Sequence, residues 1–154
     1  MITIRKTLLQ DFEAYEELYT NLDYSYNLIG EKQKDRYMLQ TRGYLDSTVT
    51  LTKEEFEERL ETEICFSLLE DDQLIGYAEI IPKNETTWHI DELGIRDDKQ
   101  HQGLGKYFLA EISKVAKKQG VNLLTLTCFA KGSIAFFKKQ EFECVGKNTF
   151  QKKL

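Results

Sequence analysis

The sequence predicts an α/β domain on a central mixed, mostly antiparallel sheet, and three stretches carry that prediction. Residues 64–70, 74–81 and 87–95 read as strands joined by the short turns Asp71-Asp72-Gln73 and Asn84-Glu85, an antiparallel meander. Pro82, the only proline, ends the second strand. Leu104, Tyr107, Phe108, Ile112, Val115 and Ala116 then recur at helical spacing, and Gly120 supplies the stop. Residues 121–128 form a nearly continuous apolar run, expected as a strand buried on both faces. A helix separates it from strand 87–95, so the two should run parallel through a right-handed crossover.

The remaining elements follow in order. Ile2-Thr3-Ile4-Arg5 alternates like a short edge strand. Thr7-x-x-Gln10 offers a capping box, with Asp11 also in the first turn, and Phe12, Tyr15, Leu18 and Tyr19 form the apolar face of a first helix. Residues 20–50 are crowded with Tyr24, Tyr26, Tyr37 and Tyr44, with a helix expected near 31–40 and a loop through 42–47. These tyrosines either roof the core or wall an acceptor pocket, since each combines an apolar face with a polar tip. Thr52-Lys53-Glu54-Glu55 is a second capping box, with Phe56 and Leu60 on the helix it opens and its glutamates on a solvated face. After a loop at 129–132 come a helix with Ile134, Phe136 and Phe137 and a terminal hairpin from 142–146 and 149–152.

Composition narrows the function classes. The 154 residues are 41% apolar and 31% charged, which suits one folded domain spanning 1–154. No apolar run approaches the ~20 residues of a membrane helix, and Met1-Ile2-Thr3-Ile4-Arg5 lacks a signal-peptide core, so a cytoplasmic location is expected. Cys65, Cys128 and Cys144 are odd in number and widely spaced, which reads as buried thiols in a reducing compartment. With only His89 and His101, no metal site is expected. The net charge of -5 argues against a nucleic-acid surface and is compatible with a cationic partner.

The stretch from Leu93 to Lys106 holds the pattern richest in chemistry. An apolar strand end passes through charged residues to Gly103-x-Gly105 at the start of the long helix. Such a junction leaves backbone N–H groups converging on one small volume, where the helix dipole favours a phosphate. A plain tight turn uses the same glycines, so the spacing must discriminate. The Gly-Lys-Ser/Thr of a Walker loop is missing, and Phe108 stands where the dinucleotide fingerprint needs its third glycine. Gln100-x-x-Gly103-x-Gly105, preceded by Leu93-x-Ile95, resembles the Gln/Arg-x-x-Gly-x-Gly/Ala signature of the GNAT N-acetyltransferases. The element order βααβββαβαββ also resembles that family over the whole chain.

The resemblance implies a GNAT fold with helices on both sheet faces, acetyl-CoA as donor and a primary amine, small molecule or peptide, as acceptor. It implies that Gln100, His101, Gln102, Gly103, Leu104, Gly105 and Lys106 cradle the pyrophosphate. The pantetheine arm would pair with the strand edge at Leu93 and Ile95, the Ile95 amide facing the thioester oxygen. An edge can do this only where its neighbouring strand has splayed away. No nucleic acid or membrane partner is expected, and a homodimer is left open.

Three residues are candidates for the base that an acceptor amine, protonated at a pKa near ~10, requires. Strict alternation puts His89, Asp91, Leu93 and Ile95 on one face of their strand and Glu92 on the other. His89 and Asp91 stand where several GNAT enzymes carry a basic glutamate, Glu92 fits others, and each has the alternative of being merely exposed. The family's second cofactor element, Asn-x-x-Ala-x-x-x-Tyr-x-x-x-Gly-Phe, is largely replaced. Anchored on Phe142, it puts Ala130 at the Asn, Ser133 at the Ala, Phe137 at the Tyr and Glu141 at the Gly. Ser133 and Phe137 are therefore cofactor-contact candidates, but a phenyl ring cannot protonate the departing thiolate. Expelling a thiolate of pKa about 8.5 at pH 7 costs roughly 2 kcal/mol, which slows acetyl transfer without forbidding it. A regulatory module that holds acyl-CoA without turnover is the alternative reading.

Overall fold

The computed structural model describes residues 1–21, 51–129 and 131–154. The tyrosines at 24, 26, 37 and 44, the helix expected at 31–40, the loop at 42–47 and Ala130 lie outside them. In order run β1 (Ile2–Lys6), α1 (Phe12–Asn21), α2 (Lys53–Thr62), β2 (Ile64–Glu70), β3 (Gln73–Pro82) and β4 (Thr87–Ile95). Then follow α3 (Leu104–Lys118), β5 (Leu123–Thr127), α4 (Lys131–Lys139), β6 (Glu143–Gly146) and β7 (Thr149–Lys153). One seven-stranded sheet has the order β1-β2-β3-β4-β5-β7-β6. The meander β1 to β4 is antiparallel and the crossover through α3 makes β4 and β5 parallel, as their connections require.

The two sheet faces bury different things. One carries Phe66, Ala78, Ile80, Trp88, Ile90, Leu93, Leu124, Leu126 and Phe150, packed with Phe108, Leu109, Ile112 and Ala116 of α3 and Phe137 of α4. Burying each large side chain there contributes roughly 1.5–3 kcal/mol. The other face is smaller and aromatic: Tyr15, Leu18 and Tyr19 of α1 meet Phe56 of α2, Leu51 and Tyr77. Among the described residues no helix is long and apolar enough to cross a membrane.

Several local expectations are revised. β5 is not buried on both faces: Leu124 and Leu126 are covered, while Leu123, Thr125 and Thr127 are half-buried. The β2–β3 turn needs no glycine because Asp71 and Asp72 both adopt positive φ, 49° and 69°, which aspartate tolerates better than most residues. At α1 the expected Thr7-x-x-Gln10 box does not form. The Thr7 hydroxyl is drawn to Ser67 Oγ at 2.8 Å, and Asp11 instead accepts from the Leu8 N–H at 2.7 Å and from both Arg5 Nη atoms at 2.6 and 2.9 Å. At α2 the expected cap is present, Thr52 Oγ1 accepting from the Glu55 N–H at 3.2 Å.

The Asp11 arrangement yields a pH-dependent prediction. The Arg5 hydrogen bonds and the Leu8 N–H hold the Asp11 carboxyl below its ordinary pKa, against partial burial. A depressed folded pKa gives stability that is present above the unfolded value, about 3.9, and lost as pH falls through the folded one. Asp11→Asn should cost about 1–2 kcal/mol in urea unfolding at pH 7, with the gap to wild type closing below about pH 4.

Candidate active site

The site begins where two strands part. β4 pairs with β5 only from Thr87 opposite Leu123 to Ile90 opposite Leu126. At the next residue the β3–β4 register slips: Glu79 faces Glu92 and Ile80 faces Ile90, so Asp91 is the extra residue of a bulge. A bulge bends its strand and increases its twist. Here it coincides with the point at which β4 leaves β5.

Beyond the bulge β4 stays paired to β3. Arg96 N–H donates to the Ile75 carbonyl at 2.8 Å. Ladder alternation then turns the backbone groups of Gly94 and Glu92 toward β3 and those of Ile95 and Leu93 toward the side from which β5 has parted. In keeping with that, the Ile95 carbonyl accepts from Gln100 Nε2 at 2.8 Å. Leu93 and Ile95 thus present an edge of the kind that can take an extended chain as an added strand.

The glycine loop lies at the outer end of this edge. Gln100 ties it to the strand, while Arg96 is braced on Asp98 at 2.6 Å and Gln102 Nε2 donates to the Asp98 carbonyl at 3.3 Å. His101 and Gly103 both have positive φ, 61° and 82°. Gly103 is the N-cap of α3 and has no side chain to cap with, so the first intrahelical bond, Tyr107 N–H to Gly103 O at 3.0 Å, leaves the preceding amides aimed outward. A Cβ built on Gly103 meets no atom within 4 Å, so the space beside it is open to an approaching ligand.

A cleft of about 530 Å³ connects loop and edge. Its walls are Ile95, Gln100, His101, Gly103, Gly105 and Lys106 on one side and, on the other, Gly132, Ser133, Ala135, Phe136 and Lys139 of α4 with Gln140 just beyond its end. Gln102 is exposed and bound to the loop backbone, and Leu104 packs against the core; neither is on this lining. Phe137 is fully buried, with its ring 5.0 Å from Phe136 and 5.3 Å from Phe142 in edge-on contact, and the wall place belongs to Phe136. One step along a helix turns a side chain by about 100°, which separates these neighbours. Glu141 has φ 70°, consistent with its alignment to a glycine of the family motif. Lys139 and Gln140 escaped the sequence reading, though Ser133, Phe136, Lys139 and Gln140 follow helical spacing.

The candidate bases converge because of the bulge. It breaks the strict alternation, so Ile90 and Leu93 share the core face while Glu92 turns to the opposite one, beside Tyr77 and Glu79. The expected separation of Glu92 from His89 therefore does not hold. His89 lies in the part of β4 still paired to β5, its Nδ1 2.8 Å from Thr125 Oγ1. Asp91 is half-buried at the bulge, with a carboxylate oxygen within 4.8 Å of those of Glu63 and Glu79. Glu92 is fully buried and accepts from Tyr77 OH, as Glu79 accepts from Tyr15 OH at 2.7 Å.

Among the described residues, a cation on α2 reaches this acidic group. Arg59 of α2 reaches Glu79 at 3.2 Å. Burial works against its charge, but Glu79 and then Tyr19 raise its pKa above the ordinary value, so the guanidinium remains charged. Burial, followed by the neighbouring glutamates, raises Tyr15 and Tyr77 well above the ordinary tyrosine pKa, so both stay donors.

A glycine loop at a helix start, a strand edge that β5 has left and an acidic wall thus lie together on one split sheet. A family model described as the Acetyltransferase (GNAT) family matches residues 16–142, and the chain belongs to that family. It is an acetyl-CoA-dependent N-acetyltransferase, and nothing in fold or family favours a regulatory module instead. Its fold is similar to that of the PaiA N-acetyltransferase of Thermoplasma acidophilum, solved with coenzyme A, at TM-score 0.74 and 20% identity, covering 100% of this chain and 99% of the other. A GNAT acetyltransferase of Elizabethkingia anophelis with bound acetyl-CoA gives 0.65 and 15%, covering 99% and 98%. The ribosomal-protein-S18-alanine N-acetyltransferase of Escherichia coli gives 0.64 and 15%, covering 98% and 90%. No curated protein matches the chain by sequence.

The cradle can be tested by filling it. Gly103→Ala adds a Cβ that meets no protein atom, so its folding cost is the left-handed backbone alone, about 1–2 kcal/mol. Calorimetric titration with acetyl-CoA should show at least a tenfold loss of affinity, roughly 1.4 kcal/mol. Unchanged affinity in the folded variant would make the loop a turn and nothing more.

Proposed function

We propose that the chain acetylates cationic primary amines, with Asp91 receiving the ammonium group and Glu92 accepting its proton. The observation that carries this reading is the pair of adjacent carboxylates at the point where β4 leaves β5, one half-buried and one fully buried. Charge sorting supports it. The cofactor cleft is walled by His101, Lys106 and Lys139 without a carboxylate among its described lining residues, whereas the opposite face gathers Glu63, Glu79, Asp91 and Glu92. An anionic donor and a cationic acceptor would thus meet at the strand edge from opposite sides.

The bound donor supplies a thioester carbonyl at the end of its arm. With the pyrophosphate at residues 103–106, the arm would run inward along β4, reaching Ile95 first and Leu93 about 7 Å further on. This order favours the Leu93 N–H, rather than that of Ile95, as hydrogen-bond donor to the oxygen that gains charge during attack. Asp91 follows at the head of the open edge. An ammonium held there would lose its proton toward Glu92, directly or through one water. His89, within the paired segment, is less favourably placed. The described cleft offers no tyrosine hydroxyl for the departing thiolate, so the proton would come from solvent. A cytoplasmic setting fits the three thiols, with Cys65 and Cys128 buried and Cys144 exposed.

The two carboxylates should separate kinetically. Glu92→Gln should lower kcat roughly 10²–10⁴-fold, the usual worth of a positioned base. Asp91→Asn should act mainly on the KM of putrescine, spermidine and a lysine-bearing peptide, with much less effect on a neutral amine. Salt should weaken the cationic substrates selectively. Equal efficiencies across such a panel, with no salt effect, would rule out cation recognition.

A further inference from the structure

The reading of Glu92 as base leaves open what holds so deeply buried a carboxylate in its charged form. The surroundings of Glu92 contain a natural comparison. Glu79 and Glu92 face one another across β3 and β4, both are fully buried, and each accepts from a tyrosine hydroxyl. The rings of those tyrosines, Tyr15 and Tyr77, are 4.8 Å apart. The Arg59 ion pair, at 3.2 Å, is made to Glu79. Opposite Tyr77 on β4 is Gly94, which has no side chain, so the Tyr77 ring can lean across the strand to the diagonal position at Glu92.

We infer that Tyr77 is a positioning residue for catalysis: its hydroxyl fixes Glu92 and favours its carboxylate form, while Tyr15 does structural work through the Arg59–Glu79 pair. The proposal rests on the assignment of Glu92 as base. Among the described residues, the groups around Glu92 are Tyr77 and Glu79 from β3 and Tyr15 and Tyr19 from α1, with Arg59 of α2 beyond them on Glu79. Glu63 and Cys65 lie beyond on the β2 side, and Asp91 and His89 on β4 itself. The negative members favour a protonated Glu92 and Arg59 opposes them. A hydroxyl donor that stays protonated because burial and Glu92 raise its pKa adds a constant preference for the anion.

Tyr77→Phe keeps the ring and removes the donor, and Tyr15→Phe is the matched control. Two readouts are compared: the titration of the Glu92 side chain by ¹³C NMR in the free enzyme, and the acid limb of kcat/KM for acetyl-CoA with the fastest of putrescine, spermidine and a lysine peptide. In Tyr77→Phe the Glu92 carboxyl should protonate at higher pH, and the acid limb should rise with it by roughly one pH unit, a tenfold loss of rate below the limb. Tyr15→Phe should move neither. Equal displacement by both variants, or by neither while Glu92→Gln still abolishes turnover, overturns the role of Tyr77 and leaves the base intact. A Glu92 titration that moves without the limb overturns the base assignment, and the positioning role with it. Should Tyr77→Phe fail to fold, 3-fluorotyrosine at position 77 keeps the ring and strengthens the donor. Both readouts must then move to lower pH, and a stationary pair overturns the proposal.

Discussion

The structure depends on one strand being allowed to leave its neighbour. β4 and β5 run side by side for four residue pairs, and then the Asp91 bulge turns β4 away. Interrupting a ladder inside a sheet leaves backbone donors and acceptors to be satisfied, at a cost of several kcal/mol in a dry interior. The fold accommodates this by anchoring the far side. β4 remains paired to β3 on either side of the bulge, Arg96 closes that ladder on Ile75, and Gln100 caps the carbonyl of Ile95. What no longer pairs with β5 is a short, buried edge at Leu93 and Ile95 that leads from the glycine loop to the acidic wall.

The same bulge organises charge. Because it flips the phase of β4 between Ile90 and Leu93, apolar side chains continue to face α3 on both sides of it while Glu92 joins Glu79 on the α1–α2 face. Two buried carboxylates side by side would be prohibitive without partners. Among the described residues, Arg59 and two tyrosine hydroxyls provide them, and removing the guanidinium would cost Glu79 its ion pair, about 3–5 kcal/mol. Helix α2, whose glutamates look like a solvated face, therefore has a second task on its inner side. It carries the cation that makes the acidic wall tolerable.

Much of the architecture was legible in the sequence. The short turns fixed the meander, the periodicity from Leu104 to Ala116 fixed the crossover helix, and the Gln100-x-x-Gly103-x-Gly105 spacing pointed to the loop proposed as the cradle. Four features were not legible, for separate reasons. A bulge has no residue signature of its own, so period-two counting placed His89 and Asp91 on the face of Leu93 and Ile95, away from Glu92. Thr7 is a good cap by type, but its hydroxyl was claimed by Ser67, sixty residues away. On α4 the departure from the family motif drew attention to Phe137, while helix geometry put Phe136 on the cleft wall. The Arg59–Glu79 pair joins residues whose proximity only the folded sheet establishes.

Amide hydrogen exchange at β4 tests the central claim most directly, because it reads the open edge residue by residue. In the free protein the amides of Leu93 and Ile95 should exchange quickly, whereas those of Glu92 and Gly94, committed to β3, should be protected. Saturating acetyl-CoA should slow Leu93 and Ile95 selectively and leave their neighbours as they were. Protection of all four amides before ligand is added, or exchange at Leu93 and Ile95 that acetyl-CoA leaves unchanged, would contradict the account.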